Sequence, residues 1–232
     1  MSKFLHILFF VFITQITYSQ IINPKRDSFS SRKSRLIDNM VDHFEDIICK
    51  KYRIDKNHAH NAFKKYIIAL NNNFHFITQD SKQKKTIDST FVTKKSIKLL
   101  LNSHRILIDY IWIKEKENRT RQGFKSLSEL DSETINKMSP TTLKWFKEQE
   151  KRNDILVINY FDSFSEKIMT EANNKDLTDL ITSFRETSGY SPQITASALL
   201  NLKEEDYKNL AIKTFIAFQL YYAYLNSHVT YE

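Results

Sequence analysis

Apolar positions recur along this chain at helical spacing for most of its length. Leu36, Ile37, Met40, Val41, Phe44, Ile47 and Ile48 return every three or four residues, with Asp38, Asp42, Glu45 and Asp46 between them. That pattern predicts an amphipathic helix with one buried stripe. Lys50, Lys51 and Arg53 close it, where cations suit the helix dipole. A second helix is predicted over 56–76, on the stripe Ala59, Ala62, Phe63, Tyr66, Ile67, Leu70 and Phe74. The polar run 79–86 reads as a loop, and Asp88 as the cap of a third helix over 89–117. The middle of that helix, 97–113, is apolar on most sides, the mark of a helix surrounded by others.

Further on, Ser126 with Glu129 fits a capping box for a short helix over 127–138. Ser139-Pro140 starts a long helix reaching 173. Its segment 147–154 has no apolar residue, so it either projects into water or is a break. A short helix over 176–187 stops near Gly189, Ser191-Pro192 opens another piece, and the last helix covers 204–226. No fixed-period repeat stands out. The expected class is all-α: an irregular bundle of about six to eight helices around a central apolar helix. The organisation expected is a leader over 1–19, a flexible basic segment over 20–34, and a single helical domain over 35–232.

The leader has its own pattern. Lys3 precedes an apolar stretch over 4–16, interrupted by His6, and small polar residues follow up to Ser19. A charged start, a short apolar core and small residues describe a secretory signal peptide. The core is shorter than the roughly 20 residues of a membrane-spanning helix. Cleavage is expected between Ser19 and Gln20, giving a periplasmic or secreted protein with no membrane span left after cleavage. Thr17-Tyr18-Ser19 followed by Gln20 resembles the exported proteins of Bacteroidota, and the Lys, Asn and Ile richness fits an AT-rich genome of that kind. The resemblance implies a host lineage and no activity.

Composition narrows the function classes. Apolar residues are 41% of the 232, enough for a core and too many for a disordered chain. Phe (17) and Tyr (11) supply rings that bury large areas in a helical interior. Only 2 Gly are present, which argues against phosphate-binding loops and strand-rich folds that need them at sharp turns. One Cys, Cys49, cannot form an internal disulfide, so stability must come from packing. The formal net charge of +8 attracts anions, such as an acidic protein or an anionic envelope component. Export makes nucleic acid an unlikely partner.

No catalytic motif is found. His58 and His60, two apart, would point away from each other on a helix and could not share a metal. No metal site and no cofactor are expected. His104 falls in the stripe Ile97, Leu100, Leu101, His104, Leu107, Ile108, where it is either a core imidazole or a weak candidate for proton transfer. Lys82, Lys84, Lys85, Lys94, Lys95 and Lys98 gather on one loop and the helix after it, and Lys94, Lys95 and Lys98 share a face. They are the candidate binding residues, set against a plain solvated face. Asp88-Ser89-Thr90 resembles the short O-glycosylation acceptor of Bacteroidota. The function expected is an exported helical binding or interaction module. The alternatives are a helical envelope hydrolase with scattered residues and an apolar-ligand carrier.

Overall fold

The computed structural model describes residues 24–79, 85–187 and 190–228. The leader, Lys82, Lys84 and Gly189 lie outside the described residues. The chain divides into two compact units, 1–38 and 39–232. In the first unit the described residues are the opening turns of α1 (Pro24–Tyr52). Residues 24–34, part of the basic segment expected over 20–34, lie in this helix; proline at a first helical position is pre-set for the helix and loses no needed N–H.

The second unit is mostly helical. After α1 and a 3₁₀ turn at Lys56–His58 come α2 (Ala59–Asn71), a two-stranded antiparallel ribbon of β1 (Ile77–Gln79) and β2 (Lys85–Ile87), and α3 (Lys94–Ile106). Then follow β3 (Trp112–Lys114), α4 (Glu115–Arg121), α5 (Ser132–Asn136), α6 (Pro140–Glu150) and β4 (Leu156–Ile158). β3 pairs antiparallel with β4, Ile113 opposite Val157. The chain continues through α7 (Ser163–Ala172), α8 (Lys175–Glu186), α9 (Pro192–Leu199) and a 3₁₀ turn at Glu204–Lys208. It closes with α10 (Leu210–Ile216), a π-helical segment (Ala217–Tyr222) and α11 (Ala223–His228). Among the described residues no helix is long and apolar enough to cross a membrane.

Two expected helices are broken, for one shared reason. The helix expected over 89–117 is α3, a turn, β3 and α4. Thr93 rather than Asp88 caps α3, its hydroxyl accepting from the Ser96 amide. Asp88 folds its carboxylate onto the Thr90 amide ahead of the helix, at 2.9 Å. Asp109 takes a left-handed backbone (φ 60°), turning the chain so that Trp112 and Ile113 enter a strand. The helix expected over 140–173 breaks at its apolar-free segment, and Leu156 to Ile158 become the partner strand. Each short run is apolar and rich in β-branched or aromatic residues, so each strand is stabilised by the other. The expected central apolar helix is thus not formed from 97–113. Ile216, Ala217, Tyr221, Tyr222 and Leu225 of the last helical stretch are fully enclosed, as are Met40 and Phe44 of α1 and Phe63 and Tyr66 of α2.

That interior is built on rings, and among the described residues each buried tyrosine donates through its hydroxyl. Phe44 meets Phe63 and Tyr66 edge-on and stacks on Tyr221. Tyr66 donates to the Leu220 carbonyl, Tyr222 to the Met40 carbonyl and Tyr207 to the Leu199 carbonyl. A buried phenol without a partner would cost about 1–3 kcal/mol, so these bonds let tyrosine serve as a core residue.

Candidate functional site

A cleft of about 270 Å³ opens in the second unit. One wall is the inward face of α4 with the residue that ends it. Glu115, Asn118, Arg119 and Gln122 stand at i, i+3, i+4 and i+7, so four polar side chains occupy one helical stripe. The facing walls are Arg152 with β4, the end of α8 with Tyr190, and the outer side of the last helix from Gln219 to His228.

The polar wall is tied to its neighbours by hydrogen bonds and one ion pair. Glu115 is 6% exposed, and its Oε2 stands 3.4 Å from Arg152 Nη2. Its backbone amide donates to the Ile155 carbonyl, which ties α4 to the approach to β4. Arg119 donates to Asn153 Oδ1. Gln122 Nε2 donates to the Phe184 carbonyl at 3.0 Å and to the Thr187 carbonyl. Both partners are acceptors, so the amide cannot be flipped, and Oε1 is the atom left over. Among the described residues, Glu115 Oε2, Asn118 Oδ1 and Gln122 Oε1 are buried and accept no hydrogen bond.

The opposite side is aromatic. Tyr160 stacks on Phe184, ring centres 4.6 Å apart and nearly parallel, and Tyr190 meets Phe184 at 5.3 Å. Tyr160 donates to Gln219 Oε1, and burial pushes its phenol well above the usual range, so it stays a neutral donor. Arg185 fixes the backbone here through a 2.7 Å bond to the Tyr160 carbonyl. At the end of the last helix, Ser227 Oγ lies 2.7 Å from His228 Nδ1, which is itself 2.9 Å from the Tyr224 carbonyl. Ser227 Oγ also donates to the Tyr224 carbonyl, at 3.0 Å.

The residues singled out from sequence lie elsewhere. Lys94, Lys95 and Lys98 are exposed on α3, and none is in an ion pair among the described residues. Lys85 opens β2. His104 is half-buried, edge-on to Trp112 at 5.1 Å, and burial lowers its pKa to about 4. It is absent from the cleft lining. His58 and His60 do not point apart as a single helix would require: His58 lies in the 3₁₀ turn, and the two rings meet edge-on at 6.1 Å. Among the described residues no group of three His, Cys, Asp or Glu could hold a metal. Cys49 is buried, and its thiol pKa is raised by that burial.

A second polar cluster is sealed in the core. His43 Nε2 lies 3.0 Å from Ser96 Oγ, which also accepts from Tyr221 at 2.7 Å. Ser96 is fully enclosed, so this serine and histidine join α1, α3 and the last helix rather than meet a substrate. Sequence reasoning missed the cleft because 115–122 reads as the tail of an apolar helix and a connection. The available signal was the spacing itself, a helical stripe filled by Glu, Asn, Arg and Gln. Set beside protein-family models, curated proteins and solved structures, the chain matches none.

Proposed function

We propose that this chain is an exported binding module of the bacterial envelope that captures a small ligand in the cleft between α4, β4 and the last helix. The observation that supports this most is the pairing of a fixed polar wall with an aromatic one. Concave sites of this kind, apolar with a few placed polar groups, are the usual form of a ligand pocket. The leader motif and the absence of any nucleotide-loop pattern favour the exported, binding reading over a cytoplasmic enzyme. The charged side chains of Glu115, Arg119 and Arg152 in the lining speak against a carrier of purely apolar ligands.

The test is to produce the full chain in its exported form and record amide NMR spectra with a small-fragment library. Shifts confined to α4, β4 and 219–228, and abolished by Ala223→Trp, support the reading. A library that shifts no cleft amide counts against it. A second reading draws on a separate observation: Lys94, Lys95 and Lys98 are exposed cations outside any described ion pair, and would suit an anionic envelope partner. Capture of such a partner should vanish at high salt and in the Lys94→Glu, Lys95→Glu, Lys98→Glu variant.

A further inference from the structure

From the cleft wall we infer that its ligand is a single polyhydroxylated ring, a neutral monosaccharide-like compound, an inference that rests on the cleft being the ligand site. Glu115 Oε2, Asn118 Oδ1 and Gln122 Oε1 are three buried acceptors on one stripe, each without a hydrogen-bond donor among the described residues. Buried acceptors are rarely left so, and three together on a cleft wall call for a donor-bearing occupant. Glu115 illustrates the shortfall, since its ion-pair partner stands 3.4 Å away, longer than a charge-assisted hydrogen bond.

The ligand must also accept. Arg152 is about half exposed at the rim, with guanidinium N–H groups beyond the one facing Glu115. A simple carboxylate or phosphate would satisfy the arginine and bring no donor to the three oxygens. An amine would bring donors but meet two guanidinium groups against one carboxylate. Hydroxyl groups donate and accept without charge, and the carbon face of a sugar ring can lie against the aromatic wall of Tyr160 and Tyr190. The volume of about 270 Å³ falls just under the range for drug-sized ligands, which suits one ring. The three oxygens lie beneath the wall, so the bound hydroxyls reach them with a small opening of the α4 side chains.

The test is an amide NMR titration of the full exported chain with D-glucose, D-galactose, D-mannose and N-acetyl-D-glucosamine, beside benzoate and cyclohexanecarboxylate. At least one sugar should shift cleft amides. Asn118→Leu should weaken that binding tenfold or more, and Asn118→Asp, which keeps an acceptor in place, should retain it. Native-like dispersion of the Asn118→Leu spectrum excludes misfolding as the cause. Cleft shifts from benzoate or cyclohexanecarboxylate alone overturn the sugar inference and leave the cleft as a ligand site. No cleft shift with any of the six compounds overturns both.

Discussion

Acid should loosen this fold well above the pH at which carboxylates protonate, because His43 is buried in its neutral form. His43 is 6% exposed, and its pKa is lowered from 6.5 to about 4, first by burial, then by Lys95, with Asp46 opposing. The folded pKa lies below the unfolded one, so the unfolded chain takes up a proton first as pH falls. The stabilisation is therefore complete above pH 6.5, declines between 6.5 and 4, and is gone below 4. The gap of 2.5 pKa steps sets an upper limit of about 3 kcal/mol, and at pH 5 the loss is about 2 kcal/mol. His104, half-buried and lowered to about 4 by the same cause, adds a loss of similar size over the same window. Urea unfolding from pH 8 to 4.5 measures this directly. His43→Gln places an uncharged amide near Ser96 and should remove about 2 kcal/mol of the fall between pH 8 and 5. A pH-independent midpoint in the wild type, or an unchanged slope in His43→Gln, would refute the reasoning.

Other outcomes follow from single contacts. Tyr221→Phe deletes the hydroxyl that bonds the Phe91 carbonyl and Ser96, and should cost about 1–3 kcal/mol in urea unfolding. Arg185→Met removes donors to the Tyr160 carbonyl, Ser165 and Glu166, and should cost about 2 kcal/mol while raising exchange at the amides of 160–166. The Lys94→Glu, Lys95→Glu pair should stabilise the chain, since both lysines sit at the positive end of α3. A gain of about 1 kcal/mol at low salt, shrinking as salt is added, is expected from thermal melts.

The helical class and several boundaries were legible because period and cap agree. Ser191-Pro192 opens α9, its hydroxyl accepting from the Ile194 amide, and the stripe from Ala59 to Leu70 is buried as its spacing implies. The failures fall where apolar density is high and period is lost. Trp112 and Ile113 carry no helical signature of their own, and whether they form a strand depends on Leu156 to Ile158, more than forty residues away in sequence. The sheet pairing that results places α4 beside the approach to β4 and so creates the polar wall. Glu115 and Gln122 become site residues only through that long-range pairing, which local spacing does not encode. The lysines on α3 were easier to find, because exposed charge at helical spacing needs no partner to be recognised.

The most direct measurement is native mass spectrometry of the full chain purified from the cells that make it, compared with Ala223→Trp and Leu156→Trp, each of which fills the cleft. Wild-type protein should carry an added mass of one small molecule that both variants lack, with unfolding midpoints showing the variants folded. The same spectrum from all three proteins, bound mass or none, would contradict the cleft as the place where this chain does its work.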